Sequence, residues 1–221
     1  LQYALGFDGL LFTHPENKAL AGKAHVNESA TTILLGMKGI PALAEEMQVA
    51  RDLFLAAYHN APIHISNIST AGSVALIKKA KKDGVKVTCD VAAHQLVFTE
   101  ELLNDFDSNY KVKPPLRSKA DNKALIAGLK DGTIDAISSQ HRPHEIEFKN
   151  VEFEIASYGI ITLQTVLPLL LQAGLDIALI VEKLAIAPRK LLKLEVPQVK
   201  IGAVANFTIF NVNKEWIFNK E

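Results

Sequence analysis

Short apolar runs that close on polar loops recur along this chain, separated by longer stretches with apolar residues at helical spacing. Gly9 to Thr13 (GLLFT) runs into His14-Pro15-Glu16-Asn17, a strand followed by a polar loop. Lys18 to Gly39, punctuated by Gly22, Gly36 and Gly39, reads as irregular. Pro41 then suits a first helical turn, and Ala42 to Tyr58 carries Leu43, Met47, Ala50, Leu53, Phe54 and Ala57 at helical spacing. Pro62 to Ile68 alternates as a strand. Thr70 to Asp83 predicts a helix with Val74, Ile77 and Ala80 inward and Lys78, Lys79, Lys81 and Lys82 solvated, stopped by Gly84.

Val85 to Val91 is the third strand, closing on Ala92-Ala93-His94-Gln95. Thr99 caps a short helix to Leu103, and Asn104 to Tyr110 is a polar loop. Lys111 to Arg117 (KVKPPLR) follows an extended path, because Pro114 and Pro115 forbid a helix or a central strand. Ser118 to Leu129 is helical, and Asp131 to His144 (DGTIDAISSQHRPH) passes from a turn through an apolar strand into a cluster of Ser, Gln, His and Arg. Ser157 to Gln172, Asp176 to Leu184 and Pro188 to Leu192 predict helices, and the tail holds an alternating, strand-like Asn206 to Val212. Strand followed by helix, four times over, argues a parallel sheet with right-handed crossovers. The tail breaks that rhythm and reads as a separate small β module.

With 48% hydrophobic and 22% charged residues the chain has a globular composition, and 24 basic residues balance 24 acidic ones. That balance offers no basic field for nucleic acid or acidic lipid. The longest apolar stretch, near Ile160 to Leu171, is too short and too polar to span a bilayer. One cysteine, Cys89, excludes an internal disulfide and fits a reducing, cytoplasmic compartment; within a strand it reads as buried and inert. No signal peptide is visible at Leu1, which starts in mid-pattern.

Five of seven histidines fall at or near strand ends: His14, His64, His94, His141 and His144. Imidazole there suits metal ligation or proton transfer, since its neutral nitrogen binds Zn²⁺ and titrates near neutrality. A lone histidine at a strand end is more often structural, so the recurrence, not any member, points to a site. His25, beside Asn27 and Glu28, lies within reach of the same mouth, and His59 reads as a helix-end residue.

Taken together these segments resemble the dihydroorotase family of the amidohydrolase superfamily, of the bacterial type similar to that of multifunctional pyrimidine-synthesis complexes. The likeness rests on FTHPEN at Phe12, ES…LGMKGIP from Glu28, HISNIST at His64 and DVAAHQL at Asp90. It continues through KVKPPLR at Lys111, DGTIDAISSQHRPH at Asp131, YGIITLQTVLPLLL at Tyr158 and IGAVANFTIF at Ile201. The resemblance implies an α/β fold, a metal-dependent-hydrolase (β/α)₈ TIM barrel of which residues 1–195 carry roughly the second half. Residues 196–221 would supply a β segment of a small β-sandwich. It implies interconversion of dihydroorotate and N-carbamoyl-aspartate, with zinc activating water. The family's H-x-H pair lies upstream of Leu1, and four strand–helix units cannot close a barrel, so we expect a fragment or completion by another segment.

By the same resemblance His14 matches a metal ligand, whereas Asn67 stands where the second histidine of H-x-x-H-x-S-T binds metal. Gln140 stands where the family's aspartate is both ligand and proton shuttle. A carboxamide cannot ionise and is a poor zinc ligand. Arg117 of PPLR, His144 and His94 match substrate-binding positions. The expectation is a catalytically silent homologue with weak or absent zinc, a homo-oligomer and a structural partner of aspartate transcarbamoylase. Two alternatives are an active cyclic-amide hydrolase, with His141 or His144 replacing the lost base, and a binder of carbamoyl-aspartate-like acids through Arg117 and His144.

Overall fold

Four of the strands pair side by side, all parallel, in a computed structural model that describes residues 1–218. In chain order the elements begin with α1 (Gln2–Leu5), β1 (Leu11–Thr13), α2 (Lys18–Ala21), β2 (Val26–Asn27), α3 (Ala30–Leu34) and β3 (Gly39–Ile40). They continue with α4 (Ala42–His59), β4 (Ile63–Ile65), α5 (Ala71–Lys82), β5 (Val87–Ala92), α6 (Lys119–Lys130) and β6 (Ala136–Ser138). The chain then carries α7 (Val166–Gln172), α8 (Ile177–Val181) and α9 (Ala187–Leu191), the last two joined by a π-helical turn at Glu182–Ile186. The main sheet has the order β1-β4-β5-β6, so each crossover returns the chain to the neighbouring parallel position. Register runs Thr13↔Ile65, Ile65↔Cys89 and Asp90↔Ala136.

Helix limits follow local chemistry. The Thr70 hydroxyl accepts the Ser73 amide at the start of α5, Ser118 and Asp121 form a reciprocal capping box on α6, and Gly84 (φ +83°) ends α5 in the left-handed region. Val74, Ile77 and Ala80 are buried, in one core with Ile63, Ile65, Cys89, Val91, Leu125, Leu129, Ile137 and Leu170. Cys89 is wholly enclosed, and burial pushes its thiol pKa up.

Several local expectations differ. Lys18 to Gly39 is not irregular: Asn17 caps α2, Ser29 caps α3, and β2 pairs with β3 in a separate two-stranded sheet. The helix expected from Ser157 starts only at Val166, because backbone N–H groups before it are drawn to distant acceptors: Gly159 donates to the Lys111 carbonyl and Thr162 to His141 Nδ1. Thr99 does not cap the following 3₁₀ turn through its side chain. Asn206 to Val212 forms no strand, since no neighbouring strand among the described residues supplies a ladder; residues 219–221, the end of the expected β segment, lie outside the described residues. Among the described residues no helix is long and apolar enough to cross a membrane.

The row Leu43, Met47 and Phe54 on α4 is exposed. The face α4 turns to the sheet is Ala44, Glu45, Gln48, Val49, Asp52, Leu53 and Ala56. Three polar side chains are buried there because each finds a partner from another part of the chain or from its own helix. Asp52 accepts from Thr13 Oγ1 (2.7 Å) and Gln48 Nε2 (2.8 Å), and Glu45 accepts the Ser69 and Thr70 amides.

Candidate functional site

At the carboxyl ends of β4, β5 and β6 a polar network is centred on Asp90. Asn67, three residues past His64, lies within hydrogen-bonding reach of both Asp90 and Ser138. The His64 ring is buried: Nε2–H donates to Asp90 Oδ2 (2.8 Å), leaving Nδ1 to accept the Thr88 hydroxyl (2.8 Å). Asp90 Oδ1 accepts the Asn67 amide (3.1 Å) and lies 3.0 Å from Ser138 Oγ, whose proton is shared with Asn67 Oδ1 at 2.9 Å. A carboxylate buried in an apolar strand is costly without such donors. Asp90 within the apolar VTCDV run was the signal for this cluster, but its partners lie 23 to 48 residues away and could not be read from it.

Gln140, just past β6, has φ +48°, and Asn67, just past β4, has φ +57°. A left-handed backbone is common for Asn and uncommon for Gln. Gln140 Nε2 donates to the Lys113 carbonyl (2.8 Å), while Gln95 Nε2 donates to the carbonyls of Pro114 (3.0 Å) and Pro115 (3.2 Å). The proline-bearing strap is thus pinned from two sides, and Lys113 Nζ adds an ion pair to Glu16 of the HPEN loop (2.6 Å). The acyl oxygens of both glutamines are buried without a partner among the described residues.

The other expected site residues are scattered. His14 is exposed and lines a cleft between β1 and α4 with Glu16, Asp52 and His59; Asn67 and Gln140 are not among its walls. His94 is completely buried, neither ring nitrogen has a partner among the described residues, and burial depresses its pKa to about 4, so at neutral pH it is uncharged. Arg117 is buried beneath the mouth. Its Nε donates to Ser69 Oγ (3.0 Å), and Nη1 donates to Asn27 Oδ1 (2.7 Å) and the Ile40 carbonyl (3.1 Å), while Nη2 lies 3.7 Å from Glu45 Oε2. A substrate carboxylate would reach Arg117 only by displacing these partners. His141 Nδ1 accepts the amides of Thr162 (3.0 Å) and Leu163 (3.3 Å). His144 Nε2 donates to the Tyr158 carbonyl (2.9 Å), and its ring lines an open cleft of ≈ 1460 Å³ with Arg142.

A strap from residue 142 to 160 covers part of this end. Tyr158 packs its ring over Lys111 and Lys113, donates its hydroxyl to the Ala24 carbonyl (3.2 Å) and lies 3.1 Å from His25 Nδ1. Burial raises the Tyr158 pKa to about 12, and burial together with Lys111 lowers that of His25. His25 meets the strap through the Tyr158 hydroxyl, a contact for which Tyr158 itself carried no signal in the sequence.

A zinc centre needs several anionic or imidazole donors converging within bonding reach. Among the described residues no three His, Cys, Asp or Glu side chains converge in that way. The residues present therefore do not fit a zinc site by themselves.

No family model matches the chain. A dihydroorotase of Geotalea daltonii is 44% identical over 225 residues, covering all of this chain and 53% of the relative. A dihydroorotase of Acetivibrio thermocellus is 44% identical over 222 residues, 98% of this chain and 52% of the relative. The chain thus spans about half the length of the curated relatives it matches. Among solved structures, the L-hydantoinase (dihydropyrimidinase) of Arthrobacter aurescens superposes with a TM-score of 0.80 at 23% identity, over 92% of this chain and 48% of that one. That likeness shows a shared fold over most of this chain. The inactive dihydroorotase-like domain of the Chaetomium thermophilum CAD-like multifunctional protein superposes with a TM-score of 0.51 at 25% identity, over 68% of this chain and 42% of that domain.

Proposed function

We propose, from the premise that this chain belongs to the dihydroorotase family, that it is a catalytically silent member. It acts through its shape, as a structural partner of aspartate transcarbamoylase. The observation that carries this reading is the amide at Gln140. On the family pattern that position holds the carboxylate that binds metal and takes the proton of the attacking water, and a carboxamide has no basic site for that proton. One of its two Nε2–H groups donates to the Lys113 carbonyl. Asn67, at the other substituted position, accepts from Ser138 instead of presenting an imidazole. His14, the ligand position that keeps its family residue, borders a different cleft. The similarity to a domain described as inactive and belonging to a multifunctional protein points the same way.

In this reading Arg117 and His94 are positioning residues, because their surroundings are protein. His144, on the wall of the open cleft beside Arg142, is the group we assign to any remnant carboxylate binding. Zinc content by mass spectrometry and dihydroorotate ring opening, both on the whole protein, test the silence. Substoichiometric zinc with turnover no faster than background is expected, whereas one zinc per chain with ordinary turnover would establish the active alternative. Failure to co-elute with purified aspartate transcarbamoylase would remove the partner and leave the silence standing.

A further inference from the structure

The 142–160 strap closes on itself where the Arg142 N–H donates to the Ile160 carbonyl (3.0 Å), and it is tied to the proline-bearing segment where Gly159 N–H donates to the Lys111 carbonyl (2.9 Å). Lys111 Nζ in turn reaches the carbonyls of Phe153 (2.7 Å) and Glu154 (2.8 Å). The strap meets the segment entering β2 through the Tyr158 hydroxyl, 3.2 Å from the Ala24 carbonyl and 3.1 Å from His25 Nδ1. A hydroxyl has one proton and a carbonyl can only accept it, so His25 Nδ1 carries a hydrogen and donates to the Tyr158 oxygen. Neutral His25 is therefore the Nδ1–H tautomer. Acid adds its proton at Nε2, away from that bond, and so adds charge without strengthening the joint.

The charge enters a neighbourhood already rich in cations. The Tyr158 ring carries Lys111 Nζ at 4.7 Å and Lys113 Nζ at 5.2 Å from its centre, and the His25 ring lies 6.3 Å from it. Glu16 is engaged by Lys113 in an ion pair (2.6 Å), which leaves Glu154 as the acid that favours a charged His25. From the β3 side the contact is backbone, His25 N–H to the Lys38 carbonyl (3.1 Å), and Lys38 is exposed. Burial, Lys111 and Lys113 together outweigh Glu154, and the His25 pKa is lowered.

We propose that this joint is a latch released by acid: a proton on His25 drives Tyr158 away from the segment entering β2 and frees the 142–160 strap to lift from the mouth. With the strap lifted, His25 is solvated and takes its proton near pH 6.5; with the strap closed it does so only at lower pH. The closed strap is thus fully favoured above about pH 6.5. Below that it loses up to about tenfold in its closed-to-open ratio per pH unit, until the closed form is itself protonated. His144 rides on the same strap, so lifting it removes part of the wall of the open cleft. The latch is independent of whether the mouth is catalytically active.

Amide exchange on the whole protein between about pH 7.5 and 5, corrected for the intrinsic rate at each pH, reads the latch. Protection of the Gly159 amide should fall up to about tenfold per unit below about pH 6.5. His25→Gln keeps a donor for the Tyr158 oxygen but takes no proton, and its profile should be flat. Lys113→Met removes one of the two cations and should make the fall shallower. A flat wild-type profile would overturn the proposal, as would an unchanged fall in His25→Gln, which would assign the titration to His144 or His94. If His25→Gln loosens the strap at every pH, Lys113→Met decides: a fall as steep as in wild type sinks the latch, and a shallower one supports it.

Discussion

Arg117→Met replaces a buried guanidinium with a side chain of similar reach and no donors, and should be among the most destabilising single changes in this chain. Arg117 is 1% exposed and holds three segments at once: Asn27 of β2, the Ile40 carbonyl of β3 and Ser69 after β4. Glu45, 2% exposed, is its counter-charge. Losing one member of a buried pair typically costs about 3–5 kcal/mol, because the survivor remains as an uncompensated charge. Glu45 keeps the Ser69 and Thr70 amides and the Ser69 hydroxyl, which moves the estimate toward the lower end. The stranded Ile40 and Asn27 acceptors add about 1–3 kcal/mol each, less than additively, so a loss of about 4 kcal/mol is expected. That is a large share of the ~5–15 kcal/mol by which domains are stable. Urea denaturation of wild type, Arg117→Met, Glu45→Gln and the double variant reads it directly. The double variant should recover at least about 1 kcal/mol relative to the sum of the singles, as coupled neighbours do. A loss below about 1 kcal/mol for Arg117→Met, the range of a solvated ion pair, would refute the positioning role assigned to it.

Asp90→Ala should cost about 2–4 kcal/mol in the same titration, since it strands the His64 ring N–H and the Asn67 amide; an unchanged midpoint would mean that water replaces the carboxylate. His94 supplies a pH dependence. Its pKa falls from 6.5 when unfolded to about 4 when buried, so its contribution is intact above about pH 6.5 and is lost as pH falls toward 4, at about 1.4 kcal/mol per unit. His94→Leu should flatten melting temperature against pH in that window, and an equal slope in both proteins would refute the burial argument. Gly159→Ala drives a methyl group into the Arg142 carbonyl and the His144 ring, and should loosen the 142–160 strap at a cost of about 1–3 kcal/mol. Faster amide exchange confined to that strap is the expected readout.

Local signals in the sequence sufficed for the four strands of the main sheet and the long helices between them, for the helix starts near Thr70 and Ser118, for the stop at Gly84 and for the amides at 67 and 140. Each of these depends on residues within a few positions of one another, or on identity alone. Tertiary structure alone decided which face of α4 is buried. The more apolar row faces out because Glu45 and Asp52 find donors at Ser69, Thr70 and Thr13 across the fold, and a charge so satisfied can occupy the core. It also decided that Arg117 and His94 lie enclosed while His144 borders open space, and that Ser157 to Thr165 spends its backbone donors away from a helix. In every such case the deciding partner lies far off along the chain, and a pattern confined to neighbouring positions carries no trace of it.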